Sequence, residues 1–311
     1  MNQNLHQLLQ VMKNDSEAAE SFFRPSPVLW ENLSQECEQR IAEGIGELQS
    51  SSVNNLFSLL SVTDFPYHYL KCAMWMLYTK LKERDVFGVL ENTEALVPPG
   101  MNANLIYNTS SIPNRHYSDH KNLTWDYLIT VDTILNIAVH CPWILTKPCT
   151  IIDLGAGWGR IGYVLTQINK NLSYSILDIP QSLLIAQEYL RNASSVKVYD
   201  YTVNREIDIF SKDFLLENPG LRFMGTQDLR KFEPWSVDFF INVASFQEMS
   251  LDQVSSYFNL IDEKADYFYT QQRYQDLDMN YDIYPYKKEW KKIFDRDVSF
   301  LPLWFEAFFK I

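Results

Sequence analysis

The residues best placed by type and spacing to do chemistry begin at Asp153. Gly155, Gly157 and Gly159 alternate with Ala156 and Trp158, directly after the apolar run Thr150-Ile-Ile-Asp-Leu154. That run reads as a short buried strand, and the spacing beyond the glycines reads as a helix to about Ile168. Without a Cβ the chain can turn sharply here, and a ligand can lie against the peptide planes. The amides that open the helix would face that ligand. A second strand-like run, Ser173-Tyr-Ser-Ile-Leu-Asp178, ends in an acid 25 residues after Asp153. In doubly wound folds an acid at that place accepts ribose hydroxyls. Two nucleotide loops are excluded. Arg160 stands where Gly-x-Gly-x-x-Gly requires its last glycine, and no Gly-Lys-Ser/Thr follows. The plain structural readings of the same residues are a tight strand-to-helix turn and a helix cap.

Asp153-Leu-Gly-Ala-Gly-Trp-Gly159 resembles motif I of class I S-adenosylmethionine-dependent methyltransferases, Asp-x-Gly-x-Gly-x-Gly. The resemblance implies S-adenosylmethionine as cofactor. It implies that Asp153 places the amino-acid end, that the loop Gly155, Ala156, Gly157 and Gly159 passes under it, and that Asp178 with Ile179 holds the ribose. Phe223-Met-Gly-Thr-Gln-Asp-Leu229 resembles the family's third strand segment, which implies Asp228 and Leu229 beside the adenine. Asn242, ending a fourth strand, completes the implied cofactor set. More narrowly, the chain resembles the NanM-like group of bacterial sugar O-methyltransferases. The matching pieces are Ile-Asp-Leu-Gly-Ala-Gly-Trp-Gly-Arg160, Leu177-Asp-Ile-Pro-Gln-Ser-Leu-Leu-Ile-Ala-Gln-Glu-Tyr-Leu190 and Asn242-Val-Ala-Ser-Phe-Gln-Glu-Met249. That group usually opens motif I with Glu and carries Gly-Gly, where this chain has Asp153 and Gly155-Ala156. It has Asp-Leu-Pro-Glu where this chain has Asp178-Ile-Pro-Gln181. The match spans roughly residues 110–311.

A hydroxyl acceptor is a weak acid and needs a positioned base. Glu248, just beyond the fourth strand, is one candidate; His116, in the polar stretch before the first strand, is the other. Gln247 and His120 are candidate substrate contacts. For Glu248 the plain alternative is a favourable charge at a helix mouth; for the histidines it is a turn or cap. His116 and His120 could share a helical face, but no Glu follows the first and no third ligand is evident, so no metal is assigned. Magnesium on carboxylates such as Asp119 and Glu248 is the open alternative.

The elements that must position these groups alternate between strand and helix from Cys149 onward. The pattern predicts a doubly wound, mostly parallel, seven-stranded α/β sheet with its site at the strand C-termini. Strands are expected at 150–154, 173–178, 221–224, 237–242 and 266–270, with the apolar tail 298–309 closing the sheet. Pro180 suits the first turn of the second helix. Ser250 and Gln253 form a capping box for the next. Residues 194–220 read as an insertion. The first hundred residues read as helical, at 32–48 and 66–82, and a further helix covers about 123–139 before Pro142. The division expected is therefore a helical region, 1–110, and a methyltransferase domain, 111–311. The N-terminal helices offer a lid, a homodimer surface or both.

The 311 residues are 46% hydrophobic, enough for a sizeable core. A net charge of −12 argues against nucleic acid as partner. So does Asn242-Val-Ala-Ser245, where amino-methylating DNA enzymes carry an aromatic-ended Pro-Pro motif. No apolar run reaches membrane-spanning length, no signal peptide is evident, and four scattered cysteines read as reduced thiols. The expected protein is cytoplasmic and acts on a small, sugar-like acceptor. Methylation of another small molecule, such as a polyketide, and a non-catalytic cofactor-binding module are the rivals.

Overall fold

The computed structural model describes residues 2–24, 67–95, 107–108, 122–276 and 279–311. The expected helix at 32–48, His116 and His120 lie outside the described residues.

Eight strands form one sheet: β1 (Cys149–Leu154), β2 (Leu172–Asp178), β3 (Val198–Tyr199), β4 (Gly220–Gly225), β5 (Val237–Val243), β6 (Ala265–Arg273), β7 (Lys291–Asp297) and β8 (Trp304–Lys310). Their order is β7-β8-β6-β5-β1-β2-β4-β3. Pairing is parallel from β3 across to β6, and β8 runs against both β6 and β7. The fold is thus α/β and mostly parallel, with eight strands rather than seven. Of the two strands outside the expected positions, β3 and β7, β3 lies in the segment read as an insertion. It is two residues long and occupies the sheet edge, so it leaves no periodic signal. The tail is also a hairpin rather than a single closing strand. Its outer member β7, Lys-Lys-Ile-Phe-Asp-Arg-Asp, is charged, which suits an edge that must not pair further.

The long helices are α1 (Asn2–Ala18), α2 (Tyr67–Arg84), α3 (Trp125–Ala138), α4 (Arg160–Ile168), α5 (Pro180–Ala193) and α6 (Leu251–Lys264). Local chemistry sets their ends. Thr124 caps α3 by accepting the Tyr127 N–H at 3.1 Å. Pro180 opens α5. Ser250 and Gln253 exchange the two bonds of a capping box at α6. Successive strand residues feed opposite layers: Ile151 and Phe239 join the core under α3, α4 and α5, while Ile152 and Phe240 join the core under α6. Both sides of the parallel strands are covered, as such strands require.

α3 is buried along its whole length between the sheet and α2. On α2 the buried residues Met74, Leu77, Tyr78 and Leu81 make one stripe, whereas Met76 is 64% exposed. Over residues 74–84 this helix therefore buries one face. Arg84 at its end pairs with Asp132 of α3 at 2.6 Å, and Asn136 carries the link to Glu306 of β8 at 2.8 Å. None of the described helices is long and apolar enough to cross a membrane.

Candidate functional site

Strand order reverses on either side of β1, so a crevice opens beyond its C-terminal end. The glycine loop lies there. Gly155, Gly157 and Gly159 all have left-handed backbones, with φ of 68°, 59° and 80°. A Cβ on Gly155 would sit 2.2 Å from the Ser245 hydroxyl, and one on Gly159 would sit 2.7 Å from Leu190. The alternation of glycine thus reflects both dihedral and space. The loop is tied to β2 at two points: the Gly155 N–H donates to the Leu177 carbonyl at 2.7 Å, and the Gly157 N–H to Asp178 Oδ2 at 2.7 Å.

Above the loop is a cleft with about 430 Å³ of empty space, solvent at its mouth included. Its walls are Asp126 of α3, Asp153 of β1, the loop Gly155 to Trp158, Arg160 and Ile161 of α4, and Val243 at the end of β5. Asp153 is 2% exposed and accepts a hydrogen bond from the Tyr174 hydroxyl at 2.7 Å. Burial pushes its carboxyl up to about 6, against the opposing pull of Tyr174 and Arg160. Burial raises Asp126 as well, opposed by Arg160 and by a bond from the Trp158 side chain. Arg160 makes one long hydrogen bond among the described residues, to the Thr130 hydroxyl at 3.5 Å. Two acids and one arginine therefore face a common space. Such a set suits a ligand carrying an ammonium and a carboxylate on neighbouring atoms.

Toward β2 and β4 the carboxylates are engaged otherwise. Asp178 accepts the N–H groups of Gly157 and Ile179, both at 2.7 Å, and burial pushes it up to about 7. Asp228 accepts the Gly225 N–H at 2.9 Å and pairs with Lys231 at 2.9 Å, closing its own turn. Leu229 is core, and Ile179 caps α5. Asn242 is a brace. Its amide donates to the Leu154 carbonyl and Ser245 hydroxyl, and its oxygen accepts from Gln272 and Phe246. Gln247 is buried with its oxygen on the Arg273 N–H at 2.8 Å. Glu248 ends the same short turn, half-buried. Neither Gln247 nor Glu248 is among the residues that line the cleft.

The structure thus brings Asp153 and the glycine loop together with two residues that were not expected. Arg160 reads in sequence as a surface-pairing residue of a helix, although its place right after the loop is a signal. Asp126 lies 27 residues before Asp153 on another helix and carries no motif. No group of three or more His, Cys, Asp or Glu among the described residues is placed to hold a metal ion.

No family model and no curated protein matches the chain. Solved structures similar to it include a Pyrococcus horikoshii OT3 protein, 13% identical, covering 60% of this chain and 92% of its own, with a TM-score of 0.40. Others are a SAM-dependent methyltransferase from Aquifex aeolicus (13% identity, 56% and 88% coverage, TM-score 0.33) and the bifunctional kinase-methyltransferase WbdD (13%, 58% and 38%, 0.38).

Proposed function

We propose that the chain is an S-adenosylmethionine-dependent O-methyltransferase whose acceptor is a hydroxyl of a sugar or sugar-containing small molecule. One observation carries the cofactor reading. The left-handed glycine loop underlies a cleft that Asp126, Asp153 and Arg160 share at the switch point of the sheet. These residues fit the amino-acid end of the cofactor: Arg160 would pair with its carboxylate, and Asp153 and Asp126 would hold its ammonium. Asp178, at the end of β2, would accept the ribose hydroxyls.

The cofactor, when bound, supplies a methyl group already activated on a sulfonium. What remains for the protein is alignment of the acceptor and removal of its proton. Glu248 and His116 are the residues proposed for that removal. The sugar assignment rests on the resemblance of the 152–160, 177–190 and 242–249 segments.

Titration calorimetry with S-adenosylhomocysteine on the full chain tests the cofactor reading. Saturable one-to-one binding is expected, and absence of heat at millimolar ligand overturns it. Screening nucleotide sugars against aglycone alcohols then tests the acceptor. Turnover confined to the aglycones removes the sugar.

A further inference from the structure

The chain carries a net charge of −12, yet one corner of it runs the other way. No Asp or Glu occurs between Asp132 and Asp153, in a sequence that holds 39 of them among 311 residues. Leading into β7, Lys287-Lys-Glu-Trp-Lys-Lys292 carries four lysines against one acid. The fold brings the two segments together. The His140 ring, just past α3, lies 5.4 Å from Phe294 of β7 and 6.3 Å from Phe308 of β8. Trp143 and Lys310 Nζ both lie against Tyr267 of β6, at 6.1 and 6.0 Å.

At this corner cations go without counter-ions. Lys291 and Lys310 stand opposite each other across β7 and β8, and like charges so placed repel. Both are exposed, as is Lys147, and none of the three pairs with a carboxylate among the described residues. On the neighbouring strands Asp266 is held by Lys212 and Asp295 by Lys292. Protection of a sheet edge accounts for lysine on β7. It does not account for Lys310, because β8 is flanked by β7 on one side and β6 on the other.

Apolar groups lie among these cations. Val139 is 58% exposed and Pro142 is exposed. Trp143 is half-buried, with its ring on Phe239 at 4.7 Å and its indole N–H bonded to no described residue. A tryptophan with one apolar side and one wet side suits the boundary between water and lipid. The corner sits at the N-terminal ends of the parallel strands, since Lys310 pairs with Tyr267 near the start of β6. The cleft opens at their C-terminal ends, so a surface held at this corner leaves it free.

We propose that residues 139–147, with Lys291 and Lys310, dock the protein on an anionic lipid bilayer. The lysines meet the headgroup charge, and Val139 and Trp143 enter the boundary between headgroups and acyl chains. A soluble polyanion would satisfy the lysines but give the exposed valine and tryptophan no apolar partner, which favours the bilayer. The proposal stands apart from the cofactor reading, because none of these residues lines the cleft.

Vesicle flotation with the full chain tests this. The parent is expected to float with vesicles of equal parts phosphatidylglycerol and phosphatidylcholine at low salt, to stay behind with phosphatidylcholine alone, and to be released by added salt. Lys291→Glu should lower the partition constant at least about tenfold. Its melting temperature should be no lower than the parent's, because facing like charges become an ion pair. The melt thus separates lost docking from lost folding. Val139→Ser should lower the partition constant about threefold. No flotation of the parent with the anionic vesicles, or an unchanged partition constant in either variant, overturns the proposal. Tighter binding of the parent to dextran sulfate than to the vesicles makes the corner a polyanion site and overturns the bilayer.

Discussion

The two ends of the cleft are built from the same materials and differ in what their charges already hold. Each has buried acids with raised pKa at the C-terminal edge of the sheet. Under α3, Asp153 is held by one tyrosine hydroxyl, and Arg160 spends one long hydrogen bond on Thr130. Toward β4, Asp178 holds two backbone N–H groups, and Asp228 holds a third together with a lysine. Burying a charge without a partner is costly. Under-used charges facing open space therefore mark a surface shaped for a ligand. Satisfied ones mark bracing, or a site in its closed form. The difference teaches that residue type and strand position alone do not separate a binding acid from a bracing acid; the count of bonds already made does.

The largest effect expected from this contrast is at Arg160. Arg160→Ala should weaken S-adenosylhomocysteine binding by about 10- to 100-fold, the worth of a lost charge-assisted hydrogen bond of about 1.5–3 kcal/mol. Its melting temperature should stay within about 1 °C of the parent, because the guanidinium braces nothing in the core. Calorimetry and thermal melts on one sample decide. Unchanged affinity would remove Arg160 from the site.

Next is pH, where stability and binding should move in opposite directions. Asp153 and Asp178 titrate near about 6 and about 7 when folded, above the ~3.9 of a carboxyl in an unfolded chain. Between pH ~4 and ~7 the folded protein then holds more protons than the unfolded one. The stability these groups contribute is full at low pH and is lost as pH rises through 6 and 7. The ligand-free melting temperature should accordingly climb from pH 8 to pH 5.5. An ammonium-bearing ligand needs Asp153 ionised, so affinity should drop about fourfold over the same interval. Parallel movement of the two would break the argument.

The smallest change in affinity is expected at the braced end. Asp228→Asn weakens the tie to Lys231 and should lower the melting temperature by several degrees, for a loss on the order of 1–3 kcal/mol. Affinity for S-adenosylhomocysteine should change by less than about threefold. A drop greater than tenfold, with the melt unchanged, would return Asp228 to direct contact with the ligand.

Much of the scaffold was legible because its signals are local. The strand before Gly155, the acid ending β2, Pro180 and the Ser250–Gln253 box each declare themselves within a few residues, where dihedral preference and capping act. The edges of the sheet were less so. β3 has two residues and no pattern, and β7 is so charged that its alternation is hidden. Asn242 sat in a suggestive place at the end of β5. Its use as a brace depends on Ser245, three residues on, and on Leu154 and Gln272, which come from two other strands.

By itself the amino-acid sequence determined where the chain turns under the cleft. Three glycines at alternate positions are the residues that tolerate a left-handed backbone there, and that preference lies in the residues themselves. Only the tertiary structure decided which charges share the cleft and which are spent. Asp126 reaches Asp153 because α3 packs buried across the sheet. Phe22 and Phe23 reach Tyr257 of α6 because α1 packs on α5 and β4. Contacts between segments so distant in the chain arise from packing of whole faces, and no short window of residues encodes them.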